Sequence, residues 1–145
     1  MDIEELKTKA EAGSVVAQGL LGISYLYGLD VPKDYASAIR WLTPAAERGA
    51  SRPTFHLGRI HEEGWGVPVD YKQAGHFYQR AADGDEWLAY VYLARLYRYG
   101  RGTSVDEQAA LDWYETAVSE SERIAPCPEL DEAREYVASR PGPAA

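Results

Sequence analysis

The sequence predicts an all-α protein, a right-handed α-solenoid of antiparallel helix pairs. Similar residues recur three times at a period of 36 along its 145 residues, and a fixed period of roughly 20–50 residues indicates a solenoid. Apolar residues recur at helical spacing within each copy. A glycine-rich loop followed by aspartate divides each copy into two helices. The recurring columns are Gly28, Gly64 and Gly100; Asp34, Asp70 and Asp106; Leu21, Leu57 and Leu93; Ala38, Ala74 and Ala110; Trp41, Phe77 and Trp113; and Ala45, Ala81 and Ala117.

The first copy explains how each repeat is built. Its first helix, helix A, is predicted over 14–28, where Gly28 can adopt the left-handed conformation that ends a helix. Asp34 stands where an N-cap belongs, because its carboxylate can accept backbone N–H bonds. The second helix, helix B, then extends to about residue 48. Trp41 and the equivalent Trp113 are predicted to be core wedges.

The other copies follow the same pattern, and a shorter helix is predicted at each end. Further A and B helices are expected over 50–63, 70–83, 86–99 and 106–121, with end helices at 2–12 and 129–139. This gives eight helices and no sheet. The predicted divisions are an N-terminal cap at 1–13, repeats at 14–49, 50–85 and 86–121, and a C-terminal cap with its tail at 122–145. Residues 141–145 are expected to fray.

The second copy carries the pattern that identifies the family. The runs Leu57-Gly58, Gly64-Trp65-Gly66-Val67-Pro68, Asp70 with Ala74, and Ala81-Ala82-Asp83-Gly84 resemble the Sel1-like repeat, a relative of the tetratricopeptide repeat. The resemblance covers three copies and a half copy at the front. It departs from the pattern at Asp30, which replaces a loop glycine, and at Ala94, which replaces the glycine of helix A. It implies an adaptor or binding role without chemistry of its own.

Composition and charge limit the classes of partner that the protein can bind. The net charge of −8 argues against a nucleic-acid partner. No stretch approaches the length of a membrane span. The N-terminal residues lack the apolar region of a secretory signal, and the single Cys127 excludes an internal disulfide. The sequence therefore predicts a cytoplasmic protein, monomeric alone, whose partner is another protein rather than nucleic acid or a membrane.

A candidate binding surface remains after the core columns are removed. It comprises the other helix-A positions, equivalent to 16, 19, 20, 23, 26 and 27, which analogy with tetratricopeptide packing places on the inner side of the superhelix. We call it the helix-A stripe. Arginine and tyrosine, which are enriched at the energetic centres of interfaces, are frequent in it. The predicted partner-binding residues are Tyr27, Arg52, His56, Arg59, Glu63, Tyr92, Arg95, Arg98 and Tyr99.

Two further surfaces are considered. Residues 106–145 carry 10 acids and 3 bases, against 13 acids and 12 bases in residues 1–105. This acidic end could steer a basic partner or could be only a solvated cap. Its acids are Glu115, Glu120, Glu122, Asp131, Glu132 and Glu135. The placement of Trp65 and Trp87 is left open. Trp87 is near a turn and could be exposed, which would make it an interface candidate.

No catalytic, cofactor or metal site is predicted. His56 and His61 lie five residues apart, so they lack the four-residue spacing of a helical zinc pair. The Gly64-Trp65-Gly66 loop lacks the trailing lysine of a phosphate-binding loop. Cys127 is interpreted as a spare thiol between two prolines.

The favoured function is a non-enzymatic inhibitor or immunity-type protein that binds a bacterial toxin or effector. Small size, a lone domain, the missing signal and concentrated acidity favour it. A general adaptor or scaffold in complex assembly or signalling is the alternative, and an enzyme is the third.

Overall fold

The computed structural model describes residues 1–140, and the predicted frayed tail, 141–145, lies outside them. Residues 1–140 contain helices and loops and no strand. Every helix expected from the sequence is present, to within about two residues at either end. The predicted all-α class is therefore confirmed. The helices are α1 (Ile3–Glu11), α2 (Val15–Tyr27), α3 (Tyr35–Glu47), α4 (Ser51–Glu63), α5 (Tyr71–Asp83), α6 (Trp87–Tyr99), α7 (Glu107–Ser119) and α8 (Pro128–Ser139).

The chain divides into two compact units, Met1–Glu86 and Trp87–Ala145. In the first unit α2 packs against α3 and α4 against α5, with α1 on α2 and α3 on α4. In the second unit α6 packs against α7, and α8 packs against both. Consecutive helices therefore form pairs, and the short end helices pack on the pair beside them as capping elements do.

The loop within each pair is closed by the same backbone hydrogen bond. Gly28, Gly64 and Gly100 end helix A in the left-handed conformation, with φ of 70°, 72° and 64°. The N–H of the following aspartate donates to a carbonyl near the end of helix A, in the pairs Asp34–Tyr25 (2.9 Å), Asp70–His61 (2.8 Å) and Asp106–Tyr97 (3.0 Å). The aspartate side chain then caps helix B by accepting from Ser37, Gln73 and Ala109, respectively. Because the bond to helix A uses only backbone atoms, histidine at position 61 leaves it intact.

The loop of the first copy keeps the conformation of the others although Asp30 replaces a glycine. Its φ is 61°, close to the 77° and 75° of the equivalent Gly66 and Gly102. Aspartate is one of the few non-glycine residues that visit the left-handed region, because its short polar side chain can bond locally. This departure from the family pattern therefore leaves the loop geometry unchanged.

The buried wedge of helix B lies one position after the tryptophan column. Trp41 and Trp113, predicted to be core wedges, are half-buried. Trp41 packs against the core cluster that contains Leu21 and Trp113 stacks on Tyr90, so they lie at the edge of the core. The following residues, Leu42, Tyr78 and Tyr114, are 0% exposed. One residue turns the side chain by about 100° around a helix, and that turn points the second position at helix A of the same pair.

Helix A receives this wedge at a glycine. A Cβ built on Gly58 would lie 2.5 Å from Cε1 of Tyr78 and 3.3 Å from the carbonyl oxygen of Ala74. A Cβ on Gly22 would lie 2.6 Å from Cγ of Leu42. Both glycines are inside helices with ordinary dihedrals, so they are needed for the close approach of the two helices.

We predict that Gly58→Ala destabilises the protein. Helix propensity alone would stabilise it by about 1 kcal/mol, whereas overpacking a core costs about 1–3 kcal/mol. The expected net result is a lower urea midpoint at unchanged slope. A midpoint that rises would show that the Tyr78 ring can move aside and that the glycine is not required.

Candidate functional site

In the first unit, α2 has an apolar face that is open to solvent. Its thirteen residues include no charged side chain. Val16 is 72% exposed, Leu20 48% and Tyr27 38%, and Ile23 is half-buried. Their spacing places them along one side of the helix. A helix that is apolar on all sides is ordinarily buried all round, so this exposed face requires an explanation.

An apolar groove of about 260 Å³ runs between this face of α2 and the start of α4. Gly19 lies within it, and a Cβ there would lie 2.8 Å from Cγ of Pro53. Arg52 is the one charged residue among those that line it. The lining residues are Val15, Val16, Gly19, Leu20, Ile23, Ala50, Ser51, Arg52 and Pro53.

Next along the stripe, Tyr27 and His56 are joined by a hydrogen bond. The Tyr27 hydroxyl lies 3.0 Å from Nδ1 of His56. His56 is only 6% exposed, and burial, reinforced by the charges of Arg52 and Arg59, lowers its pKa to about 4. The expectation that His56 is a surface residue of the stripe is therefore wrong, because its ring packs against Phe55 and Tyr27.

Two arginines of α4 differ in their surroundings. The Arg59 guanidinium lies 5.1 Å from the centre of the Trp65 ring and 3.8 Å from the Glu63 carboxylate. Trp65, half-buried, also stacks on Tyr35. Arg52 is exposed, and no hydrogen bond or ion pair to another part of residues 1–140 engages its side chain. Among the arginines of the stripe on α4, Arg52 therefore contributes least to holding the fold together.

In the second unit, Arg95 is a structural residue. Its Nη2 and Nε lie 2.7 and 3.0 Å from the two carboxylate oxygens of Glu132, and the Tyr114 hydroxyl donates to the same carboxylate at 2.5 Å. Burial opposes the Glu132 charge, but the bonds from Arg95 and Tyr114 outweigh it and lower the Glu132 pKa. Burial and the bond to Glu132 raise the Tyr114 pKa. This cluster ties α8 to α6 and α7.

The other stripe residues of α6 divide into buried and exposed. Tyr92 is 8% exposed, and the Arg95 guanidinium covers its ring at 4.6 Å, so the expectation of a surface Tyr92 is also wrong. Tyr99 is 53% exposed. The guanidinium carbons of Arg98 and Arg101 lie 5.1 and 5.4 Å from its ring centre, which gives this end of α6 an open aromatic and basic character.

The remaining candidates are placed as follows. Trp87, whose placement the sequence left open, is 5% exposed, and its indole N–H donates to the Ala117 carbonyl at 2.8 Å. It is therefore buried and is no longer an interface candidate. At the acidic end Glu132 is engaged within the fold. The other five acids proposed there are exposed: Glu115, Glu120, Glu122, Asp131 and Glu135.

Comparison with known proteins identifies the repeat. The profile of the family described as Sel1 repeat matches residues 15–49, 54–86 and 87–121. The chain belongs to the Sel1 repeat family. Proteins of this family are in general scaffolds for protein–protein interaction.

Solved structures agree with this assignment. A Sel1 repeat protein from Oxalobacter formigenes is 32% identical, with a TM-score of 0.77 over 95% of this chain and 98% of that one. A protective antigen of uropathogenic Escherichia coli that displays an SLR fold is 35% identical, with a TM-score of 0.78 over 84% of this chain and 26% of that one. Cysteine rich protein B of Helicobacter pylori, 24% identical with a TM-score of 0.65 over 82% and 91%, shares the fold. No curated protein matches the sequence.

Two observations bear on other functions of this Sel1 repeat protein. Over residues 1–140 no group of three or more His, Cys, Asp or Glu side chains could hold a metal ion. Over the same residues no helix combines the length and the apolar character needed to cross a membrane.

The groove beside Gly19 lies within the helix-A stripe, whose positions 16, 19, 20 and 23 line it, but of the lining residues only Arg52 is among the predicted partner-binding residues. Of the first repeat only Tyr27 is among the predicted partner-binding residues, because arginine and tyrosine guided the choice. The signal is present in the sequence, since helix α2 alone among the three A helices has no charge. The sequence alone does not show which side chains of α2 the neighbouring helix covers, so it does not show that this uncharged face is exposed.

We predict that acid destabilises the protein through His56. Its pKa of about 4 in the folded chain lies below the usual value of about 6.5, so the unfolded chain binds more protons between these values. Stability is therefore full above about pH 6.5 and falls as the pH drops toward 4, by about 3 kcal/mol in total.

NMR titration of the histidine Cε1 protons and urea unfolding from pH 7 to 4.5 check this. His56→Gln should flatten the pH dependence relative to the wild type. A His56 midpoint near 6.5, or an equally steep dependence in the variant, would contradict the assignment.

We predict that Arg95→Met lowers the free energy of unfolding by about 1–3 kcal/mol, the cost of leaving a charged hydrogen-bonding group without its partner. Lys9→Met is the matched control, because the Lys9–Glu5 ion pair is exposed on both sides and such pairs contribute about 0–1 kcal/mol. Equal urea midpoints for the two variants would show that Glu132 does not depend on Arg95.

Proposed function

We propose that this Sel1 repeat protein is a non-enzymatic module that binds another protein. The observation that carries the proposal is the exposed apolar face of α2. None of the thirteen residues of this helix is charged. Exposed apolar patches of this kind mark interaction sites in soluble proteins. On α4 the helix-A stripe adds Arg52 and Arg59, and arginine is enriched at the energetic centres of interfaces. In the second unit the stripe exposes Tyr99 beside Arg98.

Within this class we favour a cognate inhibitor of a bacterial toxin or effector, of the immunity type, acting in the cytoplasm. The concentration of negative charge in residues 106–145, with 10 acids and 3 bases, supports it. Eight of those ten acids are exposed, and exposed acids can speed the approach of a basic partner. A general adaptor in complex assembly or signalling is the alternative, and an enzyme is the third.

Co-expression with the product of the adjacent gene separates these functions. The inhibitor proposal predicts a one-to-one complex in size-exclusion chromatography with light scattering, and protection of cells that express the partner. An adaptor would instead bind without protecting. Failure to form any complex would overturn the inhibitor proposal, and cell fractionation checks the location.

The variants that map the complex must leave the fold intact. Arg95→Glu is unsuitable because Arg95 holds α8, and Arg59→Glu is unsuitable because Arg59 contacts Trp65 and Glu63. Arg52→Glu, at an exposed residue, therefore tests the stripe, and Glu120→Lys with Glu122→Lys tests the acidic end. Lys72→Glu, on the exposed side of α5, is the control for a change of net charge. We expect Arg52→Glu to weaken the complex about fivefold, which corresponds to about 1 kcal/mol. Unchanged affinity would move the site away from the stripe.

A further inference from the structure

The three copies of the repeat differ at the position of Gly19. The equivalent residues are Phe55, which is 2% exposed, and Val91, which is 0% exposed. Two copies therefore bury an apolar side chain at this position, and the first copy has no side chain there. Pro53 packs against Gly19 at this position, since a Cβ there would lie 2.8 Å from Cγ of Pro53. The two residues together line part of the groove between α2 and α4.

The groove is the right size for side chains. Its volume of about 260 Å³ is below the roughly 300–1,000 Å³ of pockets for drug-sized ligands. Its lining is apolar except for Arg52 and the Ser51 hydroxyl, and that hydroxyl donates to the Gly84 carbonyl at 3.2 Å. An organic cofactor would find few polar groups to orient it, whereas an apolar side chain would lose its contact with water at little polar cost.

The charge of Arg52 indicates a second property of the molecule that the groove binds. Arg52 stands at the edge of the groove, exposed and without an ion pair in the described part of the chain, and no acidic residue is among those that line the groove. The nearby His56 is held neutral by burial and neither adds to nor cancels this charge. A carboxylate on the occupant would therefore complement Arg52, and a basic group there would be repelled.

We propose that the groove between α2 and α4 binds a segment of a partner protein that inserts an apolar side chain beside Gly19 and places a carboxylate against Arg52. Pro53 fills the position that Phe55 and Val91 occupy in the other copies. The apolar side chain of the partner therefore lies next to Pro53 and Gly19, in the groove that they line. Val16 and Leu20 contact the segment along one side of the groove. This inference rests on the proposed binding function and names the chemistry of the partner.

The test starts from random dodecapeptides displayed on phage and selected on the immobilised full chain. Peptides selected by the wild type should share a large apolar residue and an Asp or Glu. They should not be selected by Leu20→Glu, which puts a charge into the groove. Leu29→Glu is the matched control, because Leu29 is 51% exposed against 48% for Leu20 and is not among the lining residues.

Fluorescence anisotropy with a selected peptide then measures each contribution. Leu20→Glu should weaken binding at least about tenfold, since even one methylene in a hydrophobic pocket changes discrimination by about 10–200-fold. Arg52→Glu should weaken binding about fivefold and should prefer a peptide in which the acid is replaced by lysine. Lys72→Glu should leave affinity unchanged. Circular dichroism of each variant establishes that the helices are intact.

Several results would overturn the inference. Selected peptides that bind Leu20→Glu as tightly as the wild type would leave the binding function standing and remove the groove as its site. If Arg52→Glu still prefers the peptide with the acidic residue, Arg52 does not recognise a carboxylate and that part of the proposal fails. Concentration-dependent dimerisation of the wild type that Leu20→Glu abolishes, in sedimentation velocity, would show a second copy as the occupant. If the wild type selects no peptide, the proposal for the groove is refuted. If the chain also forms no complex with the adjacent gene product, the proposed binding function is refuted as well.

Discussion

The hydrogen bond from the capping aspartate back to helix A is the interaction on which each helix pair depends. The chain must reverse direction within a few residues, and a left-handed glycine begins that reversal. The aspartate N–H then reaches the helix-A carbonyl at 2.8–3.0 Å in all three copies, while its carboxylate starts helix B. One residue thereby fixes both the position and the direction of the second helix. The loop brings helix B so close to Gly22 and Gly58 of helix A that a Cβ on either would clash with Leu42 or Tyr78.

Beneath this common loop, each copy fills the space between its helices with a different pair of side chains. In the first copy Leu26 and Leu42 belong to one apolar cluster. At the same two positions the second copy has Glu62 and Tyr78, joined by a hydrogen bond of 2.6 Å. The third has Arg98 and Tyr114, whose interaction raises the Arg98 pKa. A buried polar group is tolerated when its partner changes with it, because an unpaired one costs about 1–3 kcal/mol.

The helices could be predicted from the sequence because their determinants are local. Gly28, Asp34 and the apolar spacing act within a few residues of the helix ends that they define, and the repeat presents them three times. The surface was harder to predict, because burial of a helix-A residue depends on the neighbouring helices. His56 and Tyr92 are covered, Arg95 is engaged by Glu132 from a helix 37 residues away, and the opening beside Gly19 depends on Pro53. The spacing of residues within one helix does not predict these contacts between different helices.

The matched pairs between the helices also limit how such a chain can change its number of repeats. Unequal recombination between copies of the gene joins the front of one repeat to the back of another. A crossover between helices A and B of the second and first copies would place Glu62 opposite Leu42 and bury a carboxylate without its hydroxyl donor. A crossover in the turn between repeats, near Gly49 or Gly84, keeps every pair together. Copies of this repeat should therefore be gained and lost as whole helix pairs, with their boundaries in those turns.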